Sequence, residues 1–336
     1  MSRNVLITAA SRRVPLVQAF QRALAESGRG GTVVVTDVNP LSPAVYVADR
    51  AFRVPMATDP EYIDRILAIA VAEGIGLVIP TIDDELALFG HARDRFDAHG
   101  IRVAVSEPGT TELCDDKHGT CATLADRGIA AAPSWLPAEL PADPPFPLFI
   151  KPRRGRGGVG AHPLRNRREL EFFLGYVPDP IVQAYLDGPE FTIDMLCDFA
   201  GRPLSVVPRR RDVIRAGVID RGRTVRDARL IDLALDCARA LPMVGAVNIQ
   251  CRVVDDRPVV FEINPRFSGG IPLTIAAGAD FPRMLVDLAW GHRVRPAIGR
   301  FRDGLWMTSF ESAVFVDEAC IALPEHAPAA SVEAVA

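Results

Sequence analysis

The densest chemistry in the sequence lies around position 260. Glu262, Asn264 and Arg266 occupy every second position of Glu262-Ile-Asn-Pro-Arg266, and Gln250 closes Asn248-Ile-Gln250 just upstream. Residues two apart on a strand share one face. Glu262, Asn264 and Arg266 therefore align, and Gln250 can meet them from a partner strand across a turn at Asp255-Asp256-Arg257. Oxygens from one carboxylate and two amides suit a hard divalent ion. Magnesium holds few protein ligands and keeps its other positions for water and phosphate oxygens. The apolar residues between them, Phe261 and Ile263, argue against a face that merely meets solvent.

A second constellation is Lys151-Pro-Arg-Arg-Gly-Arg-Gly-Gly-Val-Gly160. Gly155, Gly157, Gly158 and Gly160 let backbone N–H groups approach an anion, with Lys151, Arg153, Arg154 and Arg156 as positive charge around it. A lid over a triphosphate needs these properties, and so does a solvated hairpin tip. No Gly-Lys-Ser/Thr opens a helix, so this is not a Walker loop. The third constellation, Ile181-Val-Gln-Ala-Tyr-Leu-Asp-Gly-Pro-Glu190, is an extended segment with main-chain groups for a purine edge and a carboxylate beyond a turn for ribose hydroxyls. Read alone it is a strand, a turn and a strand.

Further residues suit a small polar substrate. Arg209, Arg211 and Arg215 alternate along an extended segment and can share a face that clamps a carboxylate or phosphate, unless they simply guard an exposed edge. Asp83 and Glu85 can hold an ammonium group or start a helix. Ser268-Gly269-Gly270 can offer backbone donors to an acyl group or form a plain turn. His118 and His162 lie near the basic elements, where a surface role fits better than a general base.

These groups need positioning elements. The first third alternates strands (Val5–Ala9, Thr32–Asp37, Leu77–Pro80, Ile101–Val105) with helices (Pro15–Glu26, Pro60–Glu73, Glu85–Ala98). Apolar strands alternating with helices predict a parallel sheet covered on both faces, with ligands at the carboxyl ends of the strands. Arg12, Asp83 and Glu85 fall there. The first strand-to-helix turn, Thr8-Ala-Ala-Ser-Arg-Arg-Val-Pro15, has no glycine, which excludes a dinucleotide-binding fingerprint. Six prolines between Ala130 and Pro147 mark a connector. Beyond it come strands at Leu148–Lys151, Ile181–Leu186, Glu190–Asp198, Leu204–Val207, Val244–Val254, Pro258–Ile263 and Trp306–Val316, with helices at Asp227–Ala240 and Phe281–Trp290. This is an α+β pattern. The expected fold is an α/β parallel-sheet domain over residues 1–112, then two α+β subdomains over 113–188 and 189–318, and a disordered tail over 319–336.

Bulk properties narrow the function. The 336 residues are 49% hydrophobic and 24% charged, with 38 basic against 42 acidic side chains and a net charge of −4. That composition is globular, without the basic surplus of a nucleic-acid binder. The six cysteines form no CxxC pair or zinc spacing and are expected as reduced, buried thiols. No apolar run approaches the ~18 residues of a membrane span, and the first residues start a strand in place of a leader. The expectation is a cytoplasmic protein without nucleic-acid or membrane partners.

Taken together, the glycine-rich loop, the hinge and the "E-x-N-P-R" run after an "N-x-Q" strand resemble the ATP-grasp superfamily over Asn4 to Val316. They resemble most of all single-chain relatives of the carbamoyl-phosphate synthase large subunit, including the pyrrolysine-pathway ligase, in the runs "VLITAASRRVPLVQAF" and "IVQAYLDGPEFTIDML". The resemblance implies an ADP-forming carboxylate–amine ligase that works through an acyl phosphate. It implies ATP and magnesium as cofactors (manganese as an alternative), a small amino-acid-like carboxylate and amine as partners, and a homodimer as one assembly. Residue by residue, it places Lys117 and Lys151 at ATP phosphates, with Gly157 and Gly158 in the lid. Gln183, Ala184, Tyr185 and Leu186 fall around adenine and Glu190 at the ribose. Gln250, Glu262 and Asn264 become metal ligands, and Arg266 faces the transferring phosphoryl group. Two departures stand out: Ala184 occupies a position that is often acidic, and Val218 stands where an acid often closes "R-x-x-x-x-x-G-E". A bicarbonate-using carbamoylating or carboxylating enzyme and a non-catalytic ATP-binding protein are the alternatives.

Overall fold

The computed structural model describes residues 3–28, 30–155, 158–215, 217–321 and 323–324. They cluster into two compact units, one from the described parts of Met1–Val105, Asp280–Val294 and Phe310–Ala336, the other from Ser106–Ala279 and Arg295–Ser309.

The first unit begins with β1 (Asn4–Ile7), α1 (Val14–Glu26), β2 (Val33–Asp37), β3 (Arg50–Arg53), α2 (Tyr62–Ala72), β4 (Ile75–Ile79), α3 (Asp83–Asp97) and β5 (Arg102–Val103). Its strands form one parallel sheet in the order β3-β2-β1-β4-β5. Every residue of β2 and β4 is buried, as a sheet covered on both faces requires. Leu6, Val34 and Val78 meet Ile66, Ile69, Phe89 and Phe96 of the helices in one core. The strand β3 was not expected. Its sequence is Arg-Ala-Phe-Arg and only Phe52 is buried, so an edge strand here carries no apolar run.

The turn after β1 holds Ala9 and Ser11 in the left-handed region (φ 46° and 43°), where glycine would be the ordinary occupant. Asp37 at the end of β2 holds it by accepting the Ser11 N–H at 2.6 Å, and Arg13 Nη2 donates to the Thr81 carbonyl at 2.7 Å.

In the second unit, α4 (Pro108–Asp115) and α5 (Lys117–Asp126) precede β6 (Ser134–Trp135), β7 (Leu148–Pro152), β8 (His162–Leu164), α6 (Arg167–Tyr176) and β9 (Pro180–Ala184). These four strands form an antiparallel sheet in the order β6-β9-β7-β8. Next come β10 (Glu190–Cys197), β11 (Pro203–Arg215), β12 (Val218–Thr224), α7 (Ala228–Ala240), β13 (Gly245–Val254), β14 (Arg257–Asn264), α8 (Ile271–Ala276), α9 (Phe281–Ala289) and β15 (Trp306–Thr308). The six strands run antiparallel in the order β14-β13-β10-β11-β12-β15. One face of this sheet presents Phe191, Ile193, Met195, Val247, Ile249, Cys251 and Ile263 to Leu230, Leu233, Ala234 and Cys237 of α7. The other face is polar.

Three differences from the sequence reading have physical causes. Helix α9 lies in the chain between β14 and β15 of the second unit but clusters with the first, burying Phe281, Leu285 and Val286 beside α1. The contiguous 189–318 block is therefore interrupted. The expected last strand is cut to Trp306–Thr308, where pairing with β12 ends, and Phe310 and Phe315 beyond it are 85% and 94% exposed. In the expected tail, the carbonyl of Pro324 accepts the Arg53 N–H at 2.9 Å.

Asp116 joins α5 to the basic loop. It caps the helix by accepting the Gly119 N–H at 3.1 Å, and it takes Arg153 Nε at 2.8 Å and Nη2 at 2.5 Å. Desolvation raises its pKa, but the Arg153 hydrogen bonds, the Gly119 N–H and the Arg153 charge outweigh that and bring it down to about 2. A carboxylate lowered on folding stabilises the fold above its unfolded pKa, and the effect is lost as the pH falls through the folded value. We expect Asp116→Asn, which keeps a capping side chain, to lower the melting temperature at neutral pH. The gap to the unsubstituted protein should close between about pH 4 and about pH 2. Melts across that range check this, and a gap constant to pH 2 would contradict it.

Candidate functional site

The polar face of the six-stranded sheet is set by register. Gln250 lies opposite Glu262 and Asn248 opposite Asn264 across β13 and β14. Across β10 and β13, Glu190 faces Arg252, Thr192 faces Gln250 and Asp194 faces Asn248. Period-two alternation thus gathers residues 190, 192, 194, 248, 250, 252, 262 and 264 on one side.

Against that face opens a cavity of about 340 Å³. Its walls include Lys151, Gly158, the run Gln183–Leu186, Glu190, Arg211, Gln250 and Glu262, with Phe149 and Phe261 as apolar cover. Most of the residues expected at a nucleotide are therefore brought to one space. Gly157 lies outside the described residues. Lys151 is 6% exposed, donates to the Phe261 carbonyl at 3.2 Å and sits 5.3 Å from the Phe261 ring centroid. Burial pushes its pKa down, and the charge of Glu262 opposes that shift. Gln183 is buried, with Nε2 donating to Cys121 Sγ at 3.4 Å. The Ala184 N–H is committed to the Pro133 carbonyl at 2.9 Å, so the turn beyond it, Tyr185 and Leu186, carries the main-chain edge along the cavity wall.

Lys117 is buried at the first position of α5, and its Nζ donates to the Gly155 carbonyl at 2.6 Å. Together with Arg154–Asp115 at 3.0 Å it fastens the base of the basic loop. Asn264 is 5% exposed; its Nδ2 lies 3.1 Å from Glu262 Oε1, and its Oδ1 accepts Arg266 Nη2 at 3.2 Å. Asn248 donates to the carbonyls of Asn264 and Arg266 at 3.3 and 3.2 Å, which fixes the strand end carrying Arg266.

This donor set fits a hard divalent ion. The oxygens come from one carboxylate and neighbouring amides. Among the described residues no group of three His, Cys, Asp or Glu side chains forms a self-sufficient metal cage. Such a set needs ligand oxygens from elsewhere, as magnesium on a nucleotide has.

Residues 176–313 match the family model "ATP-grasp in the biosynthetic pathway with Ter operon", and residues 5–104 match "PylC-like, N-terminal domain". Residues 176–313 are thus similar to ATP-grasp proteins. The chain is 25% identical over 247 residues to the carbamoyl phosphate synthase arginine-specific large chain of Bacillus subtilis (strain 168), a match covering 68% of this chain but 23% of that relative. Its fold is that of biotin carboxylase from Campylobacter jejuni (TM-score 0.73, 16% identity, 90% of this chain and 74% of that one). It is also that of L-amino acid ligase from Bacillus licheniformis (TM-score 0.68, 18% identity, 90% and 77%). Among the described residues no helix is long and apolar enough to cross a membrane.

Of the expected arginine row, Arg209 and Arg211 keep one face and Arg215 leaves it. Register shifts between Arg211 and Ile214 interrupt the alternation beyond Arg211, so Arg215 parts from Arg209 and Arg211, which stay on the polar face. Arg209 is 1% exposed and paired with Asp194 (Nε–Oδ2 2.7 Å, Nη2–Oδ1 3.0 Å), with Ser268 Oγ at 3.0 Å from Nη2. Thr274 Oγ1 completes the group by donating to Asp194 at 2.5 Å. Arg211 lines the cavity, bonded to Glu190 at 2.6 Å, Gln250 at 3.3 Å and the Gly217 carbonyl at 2.6 Å. Arg215 is exposed, 3.3 Å from Asp220. Ser268 is thus engaged with Arg209, and Gly269 passes so near Val218 that an added Cβ would lie 3.0 Å from its Cγ1.

In the first unit Arg12 is exposed in the β1–α1 turn. Asp83 opens α3. Glu85, proposed for an ammonium group, is fully buried and already bonded: Thr81 and Ile82 N–H groups reach Oε1 at 2.7 and 3.2 Å, and the Tyr62 hydroxyl reaches Oε2 at 2.5 Å. Desolvation raises its pKa against those bonds. By accepting the Ile82 N–H it closes the start of α3.

The sequence reading passed over Arg252 and Asp194. Both follow from the rule that aligned Glu262 with Asn264: Arg252 is two beyond Gln250, and Asp194 four beyond Glu190. Breaking one side of a buried ion pair leaves an uncompensated charge, which costs about 3–5 kcal/mol. Arg209→Met should lower the unfolding free energy by that order. Urea titrations check it, and a loss below about 1 kcal/mol would mean that Asp194 finds other partners.

Proposed function

We propose that the cavity binds ATP with a divalent ion and that the protein is an ADP-forming carboxylate–amine ligase. The observation that carries this is the convergence of Lys151, the run 183–186, Glu190, Gln250 and Glu262 on one space. Adenine lies along Tyr185 and Leu186 between apolar walls, the ribose hydroxyls meet Glu190, and the phosphates run past Lys151 toward Glu262. Gln250, Glu262 and Asn264 would hold magnesium, which when bound neutralises phosphate charge.

A substrate carboxylate oxygen attacks the γ-phosphorus. The bond from that phosphorus to the β-phosphate oxygen breaks, and ADP leaves. The amine nitrogen then attacks the acyl carbon, phosphate departs with the C–O electrons, and one amine proton passes to solvent. What the chain contributes is positioning and charge. Lys151 reaches the transferred phosphoryl oxygens, and Arg266, at the end of β14, stabilises them and then the oxyanion of the acyl centre. The likeness to a carbamoyl phosphate synthase chain supports one alternative first substrate, bicarbonate, which the same chemistry would phosphorylate.

The deciding measurement is ADP and phosphate release with ATP, magnesium and a panel of amino-acid pairs, with bicarbonate alone as a separate arm. ADP release that needs two amino acids supports the ligase, bicarbonate-dependent release supports the alternative, and AMP overturns both. Glu262→Ala should abolish ADP formation while the melting temperature holds; turnover at the original rate would remove the metal assignment. Arg266→Ala should cost about 100-fold or more in turnover and far less in nucleotide affinity. A loss confined to affinity would contradict its place at the reacting phosphoryl group.

A further inference from the structure

Glu190 is not a lone carboxylate on the cavity wall. Its side chain is 12% exposed, and each oxygen takes an arginine: Oε1 accepts Arg211 Nη1 at 2.6 Å, and Oε2 accepts Arg252 Nη2 at 2.6 Å. Arg252 faces Glu190 directly across β10 and β13. Its other nitrogen, Nη1, donates to the Gly188 carbonyl at 3.0 Å. Gly188 belongs to the turn that follows Tyr185 and Leu186. That turn is pressed onto β13, where a Cβ on Gly188 would stand 2.0 Å from the Val253 carbonyl oxygen, and the Val253 N–H donates to Pro189 at 3.1 Å.

One guanidinium therefore ties two things together: the turn beside the adenine wall and the carboxylate at the ribose. A carboxylate has about four lone-pair positions. With one arginine bond on each oxygen, each oxygen keeps a position for a further donor, and the two stand side by side. Two vicinal hydroxyls match that spacing. A planar fork fixed at both tips holds the carboxylate in one orientation, which a single ammonium cannot do.

Resting on the nucleotide reading above, we infer that Arg252 is a positioning residue for nucleotide selection, holding Glu190 and the Gly188 turn as one unit so that the ribose diol is read and 2′-deoxy nucleotides are rejected. It does not touch the reacting groups. Arg211 is less suited to this part, because it divides its donors among Glu190, Gln250 and the Gly217 carbonyl.

The test is calorimetric titration of the full chain with MgADP and with its 2′-deoxy analogue, for the unsubstituted protein, Arg252→Met and Arg252→Lys. A hydrogen bond to a charged acceptor sets a discrimination of about tenfold or more in the unsubstituted protein. In Arg252→Met the ratio of the two dissociation constants should fall to within about threefold, and Arg252→Lys should lie between. A general loosening of the protein weakens both nucleotides alike and leaves the ratio unmoved, so the ratio separates positioning from mere stability. The lysine variant retains the charge and carries the test if the methionine variant does not fold. An unchanged ratio in the variants, or no discrimination in the unsubstituted protein, overturns the inference. If the unsubstituted protein binds neither nucleotide, it is the nucleotide reading that fails.

Discussion

Consecutive side chains on a β-strand must leave by opposite faces, and β10, β13 and β14 turn that constraint into a site. Phe191, Ile193, Ile249, Cys251 and Ile263 have to go under the sheet, where α7 covers them. Glu190, Thr192, Asp194, Asn248, Gln250, Arg252, Glu262 and Asn264 are then forced to the other face. The same apolar burial that stabilises the sheet therefore sets the lateral order of the polar groups. A one-residue slip in any strand would bury the carboxylates and expose the core, so the register is held by hydrophobic burial.

Such a face concentrates charge, and the structure spends most of it internally. On it Asp194 is paired with Arg209 and Thr274, and Glu190 with Arg211 and Arg252. Lys151 stands apart from these pairs. Its ammonium is buried with a carbonyl for its hydrogen bond and Glu262 as a compensating charge, and burial lowers its pKa. A buried cation held at that cost beside a cavity gains most from an anionic ligand, because desolvated charges interact more strongly than exposed ones. The pairing of its neighbours leaves Lys151 facing the cavity as the group with most to gain.

The parallel sheet was legible because its strands are continuous apolar runs. The E-x-N-x-R spacing was legible because strand periodicity is short-range. Three kinds of feature were not. β3 is an edge with a single buried residue, and helix α5 carries almost no apolar stripe. Arg209, Arg211 and Arg215 read as one row in sequence, yet register shifts after Arg211 leave Arg209 and Arg211 on the polar face, paired with Asp194 and Glu190, and turn Arg215 to solvent. The burial of Glu85 was equally hidden, since an acid at the start of α3 looks the same whether it turns outward or inward. In each case the deciding information is which partner lies across a strand or beneath a turn, and that is non-local.

Arg252 shows how much the remaining function turns on such non-local pairs. In sequence it is one more basic residue before a hairpin turn. In the sheet it is the cross-strand partner of Glu190, and Gly188 is brought within its reach only because the turn lacks a Cβ that would collide with Val253. Glycine at 188 lets the turn descend, the descent presents a carbonyl, and the arginine joins that carbonyl to the carboxylate. The adenine wall and the ribose carboxylate sit on different strands of different sheets, and this short link is what keeps them at a fixed separation. A ligand spanning both is then met by a preformed surface, and less of its binding free energy goes into ordering the protein.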